Sequence, residues 1–336
     1  MRFLRYAARR LLFLIPQLFA VSVIVFFLVR LLPGDPAYLI AGQFATKERI
    51  EEVRTTMGLD KPLHEQYVLY VRNVLRGDFG MSWRTSQPVI NDIKQRLPAT
   101  TELVLLTGFI SVVLGIPIGA YTAIKRKGVV DRALFVYSML AGSIPDFWLG
   151  LILIFIFFSL LGWLPGPIGQ LDPTIDAPPR ITGMIALDAL ISGRWGALRS
   201  AVEHLILPVA TLTLVYMTLI IKNTRSTVDE MLKSDFVEHA RALGLSRLTL
   251  LSYALRNALP PVITVVGIVF WFLLGGAVLV ETVFAWGGLG QYAVESVVSS
   301  DYAPLQAFVL LAALFTLVVF LLVDLAYFVI DPRIKS

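Results

Sequence analysis

Residues Leu11–Val29 read LLFLIPQLFAVSVIVFFLV, an uncharged run of 19 residues closed by Arg30. At ~1.5 Å per residue, a helix of that length crosses a hydrocarbon core of ~30 Å. Arg2, Arg5, Arg9 and Arg10 precede the run, a layout shared with secretory signals, and Ala20-Val21-Ser22 loosely resembles a cleavage site. A signal core is only ~7–15 residues, so the run is read as a retained span. Five more apolar stretches follow: Leu103–Ile124, Ala133–Leu164, Leu205–Ile221, Val262–Val280 and Leu305–Ile330. The chain has 336 residues, of which 57% are hydrophobic and 16% charged. Soluble domains run at ~45–50% and ~25%. The pattern predicts an all-α integral membrane protein with six transmembrane helices.

The intervals between the runs set the domain organisation. Residues 1–32 form a basic arm and the first helix. Residues 33–99 form a polar interval with turn signals at Pro33-Gly34-Asp35-Pro36, Gly58-Leu59-Asp60-Lys61-Pro62 and Gly77-Asp78-Phe79-Gly80. It is read as a small folded cap outside the bilayer, with helical patterns at Glu48–Met57 and Leu63–Leu75. Residues 100–336 form a five-helix core that includes a hydrophilic loop at 222–259. Pro117 lies inside the second span, where neighbouring helices can satisfy a freed carbonyl. Ser143-Ile144-Pro145-Asp146 interrupts the third run. One kinked, tilted helix is the simplest reading, and two short helices are the alternative. A second polar interval, 165–200, opens with Pro165-Gly166-Pro167.

Composition also excludes chemistry. The chain has no cysteine, hence no disulfide, thiolate nucleophile or cysteine-bound metal. Its three histidines, His64, His204 and His239, are too far apart in sequence for a helical metal pair. No catalytic or metal-binding set is expected, and no Ser/His/Asp set can be proposed. The net charge of +5 follows membrane flanks rather than a nucleic-acid patch. With the N-terminus in the cytoplasm, the arm, Lys125–Arg132, Lys222–Arg256 and Arg333/Lys335 hold 16 of the 29 basic residues on the inner side. From Val262 to Pro332 there is no Lys or Arg, which is the positive-inside pattern. Both termini are therefore expected in the cytoplasm.

The loop at Ser226–Arg256 carries the most information. Ser226-Thr227-Val228-Asp229 has the form of a capping box opening a short helix. Ser234 or Asp235 can cap a second, in which Phe236, Val237, Ala240 and Leu243 share one apolar face. Gly244 allows a left-handed turn, and Ser246 can cap a third helix that runs to Leu259-Pro260-Pro261. A short amphipathic helix of this kind can lie on headgroups, pack on its own chain, or insert into a partner's groove.

Glu238-His239-Ala240, three residues, Gly244, and later Leu259-Pro260 resemble the Glu-Ala-Ala loop of ABC-importer permeases. The resemblance extends along the chain. It includes Leu32-Pro33-Gly34-Asp35-Pro36, Gly77-Asp78-Phe79-Gly80-Met81-Ser82, Thr224-Arg225-Ser226, Ala240-Arg241-Ala242-Leu243-Gly244-Leu245, Ala254-Leu255-Arg256-Asn257-Ala258, Glu281-Thr282-Val283-Phe284, Gly288-Leu289-Gly290 and Asp331-Pro332-Arg333. All are similar to the first permease subunit of dipeptide and oligopeptide importers. There are departures. His239 replaces an alanine, Leu243 stands where lysine is common, and Gly287 stands where proline is usual, which is expected to loosen the outer turn.

The resemblance implies the type I importer permease fold in a prokaryotic inner membrane. It implies a second permease subunit, two ATPase subunits that bind ATP and Mg, and an extracytoplasmic solute-binding protein. This chain has no Walker A pattern, so hydrolysis belongs to those partners. The resemblance also implies that Asp235, Phe236, Glu238, Ala240, Arg241, Gly244 and Leu245 form the loop that docks on the ATPase. Importers of nickel chelates, glutathione or oligosaccharides share the fold and are alternatives. A secondary transporter would need paired intramembrane ionisable groups or an internal repeat, and neither is seen.

Polar residues inside the spans are candidate pathway residues, because a charge in hydrocarbon is costly. Asp146 either meets a substrate ammonium or caps a helix after Pro145. Phe147 and Trp148 either line a cavity or pack. Glu281 either shapes an outer gate or points at water. Asp324 is read as structural, and Gly275-Gly276 as a site of close helix packing rather than a hinge.

Overall fold

The structure is a computed structural model that describes residues 2–31, 36–42, 45–56, 58–125 and 128–330. Residues 32–35 of the first turn motif, Arg126 and Lys127, and 331–336, with Asp331-Pro332-Arg333 and Lys335, lie outside the described residues. Among the described residues the chain is helical, with a single isolated β-bridge between Met81 and Pro88.

Five helices are long and apolar enough to cross a membrane: α1 (Arg2–Leu31), α5 (Val89–Ile124), α9 (Trp195–Leu232), α11 (Arg247–Val283) and α13 (Tyr302–Ile330). The third apolar run reaches spanning length only as a pair, α6 (Val129–Ser143) and α7 (Asp146–Leu153), the latter continuing as wider π-helical turns over Ile154–Leu160. The pair is bent by 107°. The single kinked helix is thereby replaced by its alternative, two helices. Pro145 has no N–H to donate, and its ring drives Ile144 out of the helical region to φ −96°, ψ 125°. Counted as one, the bent pair makes six spans.

The short helices are α2 (Pro36–Ala41), α3 (Lys47–Thr56), α4 (Leu63–Leu75), α8 (Ile185–Ile191), α10 (Asp235–Ala242) and α12 (Leu289–Val298). Helix α5 already begins at Val89, so the last part of the 33–99 interval belongs to a spanning helix. Helix α9 runs unbroken to Leu232, and Ser226-Thr227-Val228-Asp229 lies inside it instead of opening a new helix. Val228 is buried against Ala123 and Ala258, and that packing outweighs the local capping preference. Helix α11 likewise continues through Pro260-Pro261, flanked by the buried Ala258 and Val262.

Helices α5 and α9 run side by side in the same direction. Gly115 faces Ile220 and Met217, and a side chain at Gly119 would meet the Ile221 carbonyl. Helix α11 returns against α5, where Gly108 lies under the Phe270 ring. The buried core, with Leu103, Leu212, Ile220, Leu273 and Val280, lies among these three helices. Arg10 pairs with Asp324 at 2.7 Å and Tyr6 packs on Phe328, so the start of α1 and the end of α13 share one end of the bundle. Asp324 has the structural role expected of it.

The opposite end carries the 33–99 interval. Helix α4 leans on α1 through Tyr67–Ser22 (2.8 Å) and Arg30–Gln66 (2.8 Å). The segment before α5 is tied to α12 and to the turn leading into α13, with Ser82 donating to Asp301 at 2.5 Å and Arg84 paired with Glu295. The 165–200 interval joins the same layer. Arg180 donates to the Lys94 carbonyl and the Ala186 N–H donates to Glu102 at 3.0 Å.

Candidate functional site

Helix α10 sits between the end of α9 and the start of α11. Ser234 occupies the N-cap, but its hydroxyl bonds back to the Met231 carbonyl and caps nothing. The expected apolar stripe divides. Val237 and Ala240 are buried against Leu250 of α11, whereas Phe236 is 41% and Leu243 70% exposed. Half of the stripe therefore packs on its own chain, and Ala240 seats the helix instead of facing outward. Asp235, Phe236, Glu238, Arg241 and Leu245 remain exposed. Gly244 takes φ +78°, and the turn closes through Gly244 N–H to the Arg241 carbonyl and Leu245 N–H to the Ala240 carbonyl. The Ser246 hydroxyl accepts from the Thr249 N–H at 3.3 Å, so this cap forms as expected. The result is an exposed helix on a rigid mount between two long helices.

Asp146 lies just past the α6–α7 break. One carboxylate oxygen accepts from the Phe147 N–H at 2.8 Å, as a helix-start residue does, and the other accepts from the Tyr216 hydroxyl of α9 at 2.9 Å. That second oxygen and the Tyr216 hydroxyl face Gly276 of α11 closely enough that a Cβ there would meet both. Gly275 faces open space. Close packing thus accounts for Gly276 and not for Gly275. Phe147 and Trp148 are both partly exposed at this junction.

Glu281 does not point at water. It is fully buried, accepting from Thr100 at 2.5 Å and from the Gln291 N–H at 3.0 Å. The Thr100 hydroxyl also accepts from the Leu289 N–H, so α5, α11 and α12 meet at this carboxylate. The adjoining turn is pinned rather than loosened. Gly287 takes φ +76°, its N–H donates to Gln291 at 2.8 Å, and Trp286 is buried with its indole N–H on the Ala99 carbonyl. Proline could adopt neither that angle nor that bond.

Sequence reasoning missed the partners. Thr100, Tyr216 and Gln291 are ordinary residues in their own segments. Asp188, buried in α8, accepts from the N–H groups of Ile181, Thr182 and Gly183 and from the Thr182 hydroxyl. Burial disfavours its charge, but those four donors outweigh burial and hold its carboxyl below the ordinary range.

A bundle with five helices of spanning length and a sixth, bent pair defines a multi-pass membrane protein. Residues 115–336 match the model for binding-protein-dependent transport system inner membrane components, and residues 3–104 match the model for the N-terminal part of such components. The chain belongs to this family. It is 41% identical over 315 residues to a probable D,D-dipeptide transport system permease protein of Escherichia coli K12, covering 94% of this chain and 92% of the relative. It is 40% identical to a di/tripeptide transport system permease protein of Pseudomonas aeruginosa and 38% identical to a dipeptide transport system permease protein of Alkalihalophilus pseudofirmus. Both matches cover 99% of each chain. The protein is a multi-pass inner-membrane permease subunit, and its family implies ATPase and solute-binding partners.

Proposed function

We propose that this permease moves di- and oligopeptides into the cytoplasm by alternating access, as one of two permease subunits served by two ATPase subunits. The substrate class follows the named transport systems of its relatives. ATP and Mg belong to the ATPase partners. Both termini and α10 face the cytoplasm, and the 33–99 cap faces the solute-binding protein.

The observation that carries this reading is the mounting of α10. Val237 and Ala240 lock it to α11 through Leu250, while Phe236, Glu238, Arg241 and Leu245 stay bare. A partner gripping the bare side moves α9 and α11 with it, because packed elements transmit displacement instead of absorbing it. Deeper in the bundle, Asp146 offers a carboxylate to a peptide's ammonium.

Co-reconstitution of the permease pair, ATPases and binding protein into liposomes tests the reading by ATP-dependent accumulation of a labelled dipeptide. Failure to accumulate peptides, with uptake of another solute class, would overturn the substrate assignment. Cysteines at 60 and 298, both exposed positions, should label from outside sealed cells, and one at 245 only from inside. External labelling at 245 would overturn the orientation.

A further inference from the structure

A cleft of about 270 Å³ lies at the end of the bundle where α1 meets α13, lined by Tyr6, Arg9, Arg10 and Phe13. Helical spacing sets these side chains in two pairs four residues apart. The Arg10 guanidinium lies 5.3 Å from the centre of the Tyr6 ring, and that of Arg9 lies 5.8 Å from the centre of the Phe13 ring. A guanidinium held by an aromatic ring keeps N–H donors available at its edge, in a fork that matches a phosphate.

The two arginines differ in how they are engaged. Arg10 is paired with Asp324 at 2.7 Å, and Tyr6 packs on Phe328 with 5.2 Å between ring centres, so one half of the cleft is fixed to α13. Arg9 is exposed and forms no ion pair among the described residues. Two guanidinium groups against one carboxylate leave net positive charge at the cleft. Helix α1 carries Arg2 and Arg5 as well and has no acidic residue.

The second feature is what adjoins the charge. Leu12, Phe13 and Pro16 follow Arg9 by three, four and seven residues on one face of α1, and all three are exposed. This apolar stripe runs from the cleft into a helix of membrane-spanning length. An occupant that meets both features brings a phosphodiester to the guanidinium groups and acyl chains to the stripe. A zwitterionic headgroup brings its own cation and cancels much of the attraction.

We infer that this cleft binds the phosphodiester of an anionic phospholipid at Arg9 and Arg10, with the acyl chains along the exposed face of α1. The inference depends neither on what α10 grips nor on which solute is moved.

The full-length protein, purified in detergent, is titrated with dioleoylphosphatidylglycerol or dioleoylphosphatidylcholine, and native mass spectrometry reads the fraction carrying one lipid. Half-occupancy is expected at a concentration about fivefold lower, or less, for the glycerol lipid. Arg9→Gln leaves the Arg10–Asp324 pair in place and should raise that concentration about fivefold, the scale of one cation at a membrane surface. Lys125→Gln removes another basic residue that lies over a ring, that of Tyr121. It should leave half-occupancy within about twofold. Equal occupancy by the two lipids, no effect of Arg9→Gln, or an equal effect of Lys125→Gln overturns the inference. Equimolar inorganic phosphate should not displace the glycerol lipid, and displacement would assign the site to a free anion and overturn the lipid assignment. The comparison of the two lipids is made on the unaltered chain and stands even if a variant fails to fold.

Discussion

Asp146 of α7 and Tyr216 of α9 are joined by a hydrogen bond of 2.9 Å that closes against Gly276 of α11. Three helices from separate parts of the chain meet at one polar contact inside the bundle. The broken third run makes the contact possible, because the turn at Ile144-Pro145 aims the start of α7 at α9.

Gly276 is the steric key to this contact. Gly276→Ala places a methyl group against the Tyr216 hydroxyl and the Asp146 carboxylate, and overpacking of this kind costs ~1–3 kcal/mol. Thermal melting in detergent should show that loss. Gly275→Ala, which faces open space, should melt like the unaltered protein.

The charge of Asp146 can be separated from its hydrogen bonding. Asparagine keeps a partner for Tyr216, whose hydroxyl can donate or accept. Asp146→Asn should therefore assemble and support basal ATPase activity while dipeptide uptake falls about tenfold or more, the scale of a lost charge-assisted bond. Unchanged uptake kinetics across several peptides would reduce Asp146 to a helix-start residue.

At α10 the vulnerable position is Gly244. Its φ of +78° strains an L-residue by ~1–2 kcal/mol. Gly244→Asp adds a charge where a partner must exclude water. Uptake should be abolished and ATPase co-purification weakened, with membrane insertion intact. Ala242→Ser, on the exposed side, should be much milder.

Asp188 predicts an acid limit. Its folded carboxyl lies below the ordinary value of 3.8, so the fold prefers its ionised form. That stability is present above pH 3.8 and is lost as pH falls through the lowered value. Asp188→Asn cannot satisfy all four donors and should cost ~1–3 kcal/mol at neutral pH. The difference between variant and unaltered protein should shrink in melts carried below that range.

The spans were legible from sequence because apolar length is a local property, and hydrocarbon thickness translates it directly into helices. Gly244 and Ser246 were legible for a similar reason, since a left-handed turn and a cap are settled within a few residues. The capping box at Ser226 failed because Val228 packs on residues more than a hundred positions earlier in the chain, around Ala123, and tertiary contact overrode the local signal. The apolar stripe of α10 identified the helix, but only the position of Leu250 decided that Val237 and Ala240 turn inward and Phe236 and Leu243 outward. Acids within apolar runs were visible as Asp146 and Glu281. Their partners were not, because Tyr216 and Thr100 lie 70 and 181 residues away. A buried carboxylate must find donors wherever the fold brings them, so the tertiary structure alone decided which oxygens are satisfied.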